Sequence, residues 1–269
     1  ITGGRLDNVE NPDAQVTGFV EFDSRKVTPG GLFVALPGAR VDGHDFAQTA
    51  VDKGAVAVLA ARPVGVPAII VEPRGRLEGD GANADIYAND EDGSAAAVVA
   101  ALSAIARAVT QRLSQNELNI VGVTGSAGKT STKDLIATIF RAVGETVAPP
   151  GSFNNEIGLP YTALRCDEHT QYLVAEMSAR GIGHIRHLTE ITAPRIGVVL
   201  NVGSAHLGEF GSRENIAKAK GELVEALPSA ADGGVAVLNA DDPFVAAMAP
   251  RTDAKVVYYS TEHRRGGAP

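Results

Sequence analysis

Gly122 to Asp134 reads GVTGSAGKTSTKD and follows directly on the apolar run Leu118-Asn119-Ile120-Val121. A glycine-rich turn from a strand into a helix aims several backbone N–H groups at one point, and the helix N-terminus adds partial positive charge there. The guest that suits such a turn is an anionic phosphate. On this reading Gly125, Ser126, Ala127, Gly128, Lys129, Thr130 and Ser131 form a phosphate-binding loop. Lys129 reaches the β/γ-phosphates as a point charge, and the Thr130 hydroxyl takes a Mg2+ ligand position. The strict phosphate-loop pattern asks for Gly five residues before Gly128, where this chain has Val123. An ordinary tight strand-to-helix turn is the alternative, and the Gly-Lys-Thr-Ser-Thr run with its flanking elements favours phosphate.

The rest of the chain alternates strands with helical patterns, which predicts an α/β fold. Gly31–Pro37 (GLFVALP), Ala55–Ala60 (AVAVLA) and Ala68–Glu72 (AIIVE) read as short buried strands, with a helix between the first two from about His44 to Lys53. Glu72 to Ser94 is rich in Gly, Asp and Asn and poor in apolar residues, so an exposed acidic loop or hinge is expected there. Ser94–Val109 then reads as an Ala-rich helix with Ser94 as N-cap. These features place a small α/β domain at residues 1–93 and a larger, mostly parallel-sheet phosphate-loop domain at 94–269.

In the second half, Leu135, Ile136, Ile139, Phe140 and Val143 form one helical stripe over Lys129–Val143, closed by Gly144 as C-cap. Tyr172–Met177, Arg195–Asn201, Val235–Asn239 and Lys255–Ser260 are apolar along their whole length, as strands covered on both faces are. No internal repeat of fixed period is found.

Composition narrows the function classes. A net charge of −8 over 269 residues and a pI near 5.3 argue against nucleic-acid or membrane-surface binding, because a polyanion is repelled rather than steered in. Cys166 is the only cysteine and can form no internal disulfide, which fits a reducing cytoplasm. No apolar run of the ~20 residues that a membrane span needs is expected, nor a charged-apolar-small leader ahead of the first domain. The chain opens on Ile1 rather than Met, so further N-terminal sequence is expected.

The TGxxGKT form, Thr124 to Thr130, resembles the loop of the Mur ligases, ATP-dependent amide-forming enzymes of peptidoglycan synthesis. DSRKVTPGGLFVALPGARVDGHDF (Asp23–Phe46) looks like the uridine-nucleotide domain that two members share. NNEIGLP (Asn154–Pro160), TSTKD (Thr130–Asp134) and AKAKGE (Ala217–Glu222) are similar to the branch that adds D-alanyl-D-alanine to UDP-N-acetylmuramoyl-tripeptide. EMSARGIGHI (Glu176–Ile185) departs from that branch's usual ELGANHxGEI after its Glu.

The resemblance implies ATP and Mg2+ as cofactors, a monomer, a cytoplasmic location and no membrane insertion. It implies that Asp23, Ser24 and Arg25 meet the uridine nucleotide, with Ser24 and Arg25 at uracil and diphosphate, and that Asn154 and Asn155 face the muramoyl-peptide. Glu176 and, on a second metal, His206 become ligands beside Thr130. Lys220 becomes a carbamate, a carboxylate in electrostatic terms, and Lys129, His206 and Lys220 become the catalytic set. Without the resemblance, Glu176 is a strand-end carboxylate, His206 a loop residue, Lys220 an exposed helical lysine, and Asn154 and Asn155 turn formers. Members also continue beyond their NADD segment (here Asn239–Asp242) into the rest of the central domain and a C-terminal Rossmann-like domain, whereas this chain stops at HRRGGAP. Three readings stay open: the dipeptide-adding ligase, the ligase that adds the third residue, and a nucleotide-binding module without ligase activity.

Overall fold

The computed structural model describes residues 1–38, 41–73, 75, 90–203 and 207–261. It is an α/β fold built on two sheets. The first holds β1 (Arg5–Asp7), β2 (Val20–Glu21), β3 (Leu32–Val34), β4 (Ala57–Ala60) and β5 (Ala68–Ile70) in the order β1-β5-β4-β3-β2. All neighbours are parallel except β1, which runs antiparallel to β5. The helix expected over His44–Lys53 begins as a 3-10 turn, Gly43–Phe46, and becomes α1 only over Ala47–Asp52. The Asp42 carboxylate imposes that tighter start by accepting the His44 N–H at 3.0 Å. It also bonds His44 Nδ1 at 2.6 Å, while His44 Nε2 accepts the Ala61 N–H at 3.0 Å.

The long helix α2 (Ser94–Ser114) serves both sheets. Val98, Ala101 and Leu102 pack with Val20, Leu32, Val34 and Leu59, whereas Ala106 and Leu113 join the core of the second sheet. Ser94 is not its N-cap. Gly93 holds that position at φ 80°, and the Asp90 carboxylate accepts the N–H groups of Ala95 and Ala96, each at 2.9 Å. A carboxylate satisfies two orphan donors at the positive helix end where a hydroxyl satisfies one. At 21 residues and a mean hydropathy of 1.4, α2 is long and apolar enough to cross a membrane by length and composition, which corrects the expectation that no such run exists. Its apolar character is spent on two cores at once. Most of the acidic stretch expected between residues 72 and 94 lies outside the described residues.

The second sheet holds β6 (Asn119–Thr124), β7 (Thr146–Val147), β8 (Tyr172–Glu176), β9 (Ile196–Val199), β10 (Val235–Asn239) and β11 (Lys255–Tyr259). Their order is β11-β10-β9-β6-β8-β7, all parallel, so every strand delivers its C-terminal end to one edge. Among the described residues, α3 (Lys129–Arg141) is followed in this half by α4 (Gly158–Ala163), α5 (His184–Thr192), α6 (Leu207–Phe210), α7 (Arg213–Glu225) and α8 (Pro243–Ala246). Leu159 on α4, Ile185 and Leu188 on α5, and Ile216 and Leu223 on α7 bury one face of the sheet together with α2. The Glu222 carboxylate on α7 caps α5, accepting the N–H groups of Gly183 at 2.6 Å and Arg186 at 3.0 Å.

The opposite face carries α3, and here the expected apolar stripe splits. Ile136 and Phe140 pack with Ala137 over Val121, Val123, Val174 and Val198, but Leu135, Ile139 and Val143 stay exposed. Lys133 takes the remaining place on the buried side of α3. The helix ends at Arg141 with Ala142 as C-cap, so Gly144 lies beyond the cap rather than in it.

Candidate functional site

The edge formed by the C-terminal ends of β6, β8 and β9 is where open α/β sheets place ligands. The 125–128 turn leaves β6 there and enters α3 through Gly128, whose φ of 80° is left-handed and suits glycine. A Cβ on Gly125 would lie 2.9 Å from Leu200 Cβ, so that position is also held to glycine. In the first turn of α3, the N–H groups of Lys129, Thr130 and Ser131 have no intrahelical acceptor, and Gly128 offers no side chain to cap them. These N–H groups form the anion-directed part of the turn.

Asn201, at the end of β9, clamps the front of the turn. Its Oδ1 accepts the N–H groups of Ser126 and Ala127, both at 3.0 Å, and its Nδ2 donates to Ala127 O at 3.1 Å. Ser126 Oγ in turn accepts the Gly203 N–H at 2.9 Å. Sequence reasoning assigned Asn201 no role. The available signal was a polar amide directly after an apolar strand adjacent to the loop strand.

Lys129 is half-buried and donates to Gly125 O at 2.9 Å, folding back over the turn. Burial lowers its amine from the ordinary value, and the Glu176 carboxylate pulls it back up. Thr130 Oγ1 lies 3.1 Å from Ser152 Oγ. The Ser152 segment is fixed by Lys133, whose fully buried Nζ donates to Pro149 O and Asp134 Oδ1 at 2.7 Å and to Gly151 O at 3.2 Å. Lys133 is the second residue without a role in the sequence reading, because a lysine on a helix is usually solvated.

Glu176 ends β8 beside Val123 of β6 and is 1% exposed. Asn154 Nδ2 donates to its Oε1 at 2.8 Å, while Oε2 is buried with no hydrogen-bond partner among the described residues. A buried carboxylate oxygen left unpaired is costly unless a cation meets it. Lys220 on α7 is 4% exposed, and burial, aided by the nearby Lys129, lowers its amine to about 7. The structure therefore brings Lys129, Thr130, Glu176, Asn154 and Lys220 to one edge. His206 lies outside the described residues. Among the described residues no three His, Cys, Asp or Glu side chains gather as a ready metal cage, so a metal would draw on Glu176 and hydroxyl or modified groups.

Two expected contacts differ in form. Asn155 Oδ1 accepts the N–H groups of Ile157 and Gly158 at 3.2 and 2.9 Å, so it caps the start of α4. In the first sheet, Ser24 is buried and Arg25 is extended into solvent, folded onto Asp23 through Nε at 2.9 Å and Nη2 at 2.8 Å. Hydrogen bonds from Arg25 hold the Asp23 carboxyl down at about 2. Clefts of about 590 and 900 Å3 border the first sheet, one beside Arg5, Glu72 and Ala97 and one beside Asn8, Glu10 and Pro67, and neither contains an expected site residue.

The Mur ligase middle-domain model matches residues 123–266, and the Mur ligase family catalytic-domain model matches residues 17–115. The chain belongs to the Mur ligase family. It is 58% identical over 263 residues to the UDP-N-acetylmuramoyl-tripeptide–D-alanyl-D-alanine ligase of Mycobacterium leprae, covering 97% of this chain and 50% of that protein. The Escherichia coli ligase of the same name is 38% identical over 225 residues, 83% of this chain and 43% of that protein. Among solved structures, MurF from Acinetobacter baumannii superposes with a TM-score of 0.76 at 27% identity, covering 96% of this chain and 51% of that one. The MurF ligase from Thermotoga maritima in complex with ADP gives 0.71 at 32% identity over 92% and 51%. This Mur ligase chain thus spans about half the length of the relatives it matches.

Proposed function

We propose that these residues are the uridine-nucleotide and ATP-binding part of a ligase that joins D-alanyl-D-alanine to UDP-N-acetylmuramoyl-tripeptide, forming ADP and phosphate. The observation that carries this reading is the 58% identity, along 97% of the chain, to a ligase of that name. Residues 1–93 form the UDP-sugar-peptide unit and 94–269 the ATPase unit, with α2 shared between their cores. A cytoplasmic monomer that inserts in no membrane and binds no nucleic acid completes the proposal.

The reaction passes through an acyl phosphate. A carboxylate oxygen of the tripeptide attacks the γ-phosphorus and ADP leaves; the dipeptide amine then attacks the acyl carbon, sheds a proton, and phosphate leaves. Negative charge gathers on the transferring phosphoryl group, so fixed donors and cations lower the barrier. The N–H groups from Gly125 to Ser131 and the Lys129 amine supply the donors, with Asn201 holding the turn in shape. Mg2+ would neutralise phosphate charge; Glu176 Oε2 and the Thr130 hydroxyl would hold one ion, and His206 with a carbamylated Lys220 a second. The unpartnered Glu176 oxygen and the depressed Lys220 amine suit those roles, since CO2 adds only to a neutral amine. Arg25 exchanges Asp23 for the diphosphate, and Ser24 and Asn154 contact the substrate, with Asn155 supporting the latter through its cap.

The test is D-alanyl-D-alanine-dependent ADP release from UDP-N-acetylmuramoyl-tripeptide and Mg-ATP by the enzyme extended to its relatives' length. Release driven instead by a single amino acid with the dipeptide-nucleotide would favour the third-residue ligase. The 269 residues alone are proposed to bind both nucleotides without completing the amide.

A further inference from the structure

A partly buried polar cluster outside the loop joins the two sheets. Glu21 ends β2 and is 6% exposed, yet it belongs to the first sheet while its partners stand on and just after α4. Arg165 Nη2 donates to Glu21 Oε1 at 2.5 Å. Tyr161 Oη donates to Glu21 Oε2 at 3.2 Å and accepts from Arg165 Nη2, closing a three-membered ring of hydrogen bonds. The Arg165 guanidinium also lies over the Phe19 and Tyr161 rings, 4.6 and 4.4 Å from their centroids.

Each end of the cluster leads to a candidate substrate group. On one side, Glu21 is followed by Phe22, whose ring lies 5.1 Å from that of Tyr161, and then by Asp23, Ser24 and Arg25. On the other, Tyr161 meets Phe153 edge to face at 5.7 Å, and Phe153 precedes Asn154, the donor to Glu176. Asn154 O also accepts the Ser178 N–H at 3.0 Å, and Asn155 fixes the start of α4, so the 153–155 segment cannot shift independently of Tyr161. A charged pair with one buried partner is weak evidence for stability, because desolvation offsets the attraction, and the best-attested use of such pairs is to fix register.

We propose that Glu21, Tyr161 and Arg165 are positioning residues that set the distance between the uridine-nucleotide site and the phosphate-loop edge, so that occupancy of one is felt at the other. The inference rests on the two-site reading above. A carboxylate arriving from a substrate anchored at Arg25 must reach the γ-phosphate within a few tenths of an ångström, and near-attack geometry of about 3–3.5 Å leaves little slack for two sheets that move apart. The cluster removes that slack through directional bonds that an apolar contact lacks.

The experiment titrates a non-hydrolysable Mg-ATP analogue into the 269-residue chain with and without saturating UDP-N-acetylmuramoyl-tripeptide. In the parent chain the sugar nucleotide changes the analogue's Kd by at least about fivefold, the scale of a real coupling. Glu21→Gln and Arg165→Met keep each ligand's separate Kd within about threefold and reduce the coupling below about twofold, a split that loss of folding would not produce. Arg165→Lys retains charge without the fork or the ring stacking and falls between. Should the stronger variants not fold, Tyr161→Phe keeps both ring contacts, removes one hydroxyl and still at least halves the coupling. Full coupling in the variants, or a parent that binds both ligands independently, overturns the inference and leaves the two-site reading standing. A parent that binds no uridine nucleotide overturns that reading and the inference with it.

Discussion

Asn154 Nδ2 donates to Glu176 Oε1 at 2.8 Å and leaves Glu176 Oε2 buried without a partner among the described residues. One bond fixes the orientation of the carboxylate, and the free oxygen defines where a cation is wanted. Asn154 comes from the loop before α4 and Glu176 from the end of β8, so the arrangement exists only once the sheet has formed.

Glu176→Gln tests that assignment. The amide keeps the acceptor for Asn154 and removes the buried charge, so stability stays within about 1 kcal/mol of the parent. The Mg2+-dependent part of nucleotide binding is lost. Calorimetry of the ATP analogue with and without Mg2+ reads the difference, and an unchanged Mg2+ response would remove Glu176 from the metal site.

Lys129→Ala and Asn201→Ala separate charge from shape at the turn. The first weakens ATP-analogue binding at least about tenfold while costing about 1 kcal/mol of stability, since Lys129 is half-buried and its amine bonds the Gly125 carbonyl. The second removes the Oδ1 that the Ser126 and Ala127 N–H groups share, while Ser126 keeps the Asn201 backbone carbonyl at 3.1 Å, and costs about 1 kcal/mol along with affinity. Paired chemical denaturation and titration distinguish them, and a Lys129→Ala chain binding as tightly as the parent would refute the phosphate role.

Lys133→Met reports on the 149–152 segment. Its Nζ is the donor for Pro149 O and Gly151 O, so removal costs about 3 kcal/mol and lowers the thermal midpoint by several degrees. Hydrogen exchange in residues 149–155 rises with it. A midpoint equal to that of the parent would show that these carbonyls find other donors.

Lys220 predicts a pH signature in the metal-free chain. Its folded value of about 7 lies below the ordinary 10.5, so between those values the unfolded state binds more protons than the native state and stability rises with pH. Below pH 7 both states are protonated and the burial cost is fully present. Lys220→Met is therefore more stable than the parent at pH 6, and the gap narrows from pH 7 to 10.5. Denaturant midpoints of the two chains across that range check it, and a constant gap would mean that Lys220 is not buried as an amine.

The glycine turn from strand to helix, the α/β alternation and most parallel strands were legible because each is a local pattern. GSAGKT between an apolar run and a helical stripe has few other uses, and the apolar run Tyr172–Glu176 reports two-sided burial directly, whereas Val235–Asn239 buries only Ala236 and Leu238 and the edge strand Lys255–Tyr259 leaves Val257 and Tyr258 exposed, against the expected cover on both faces. Misreadings arose where a local rule met a competing partner: Ser94 yielded the cap of α2 to the Asp90 carboxylate, and half the α3 stripe stayed exposed while Lys133 went inside. The two-residue strands β2 and β7 carry too little pattern to be read at all.

The sequence by itself determined the chemistry on offer: a glycine turn with Lys129 and Thr130, a carboxylate at the end of an apolar strand, and a lysine in AKAKGE. Periodicity and turn composition are encoded within a few residues, so they survive without a fold. Tertiary structure alone decided which oxygen of Glu176 is free, that Asn201 holds the turn across 74 residues of chain, that Lys220 loses its water, and that Glu21 reaches Arg165. Those properties depend on desolvation and on distances between segments far apart in sequence, and both arise only when the two sheets close around α2.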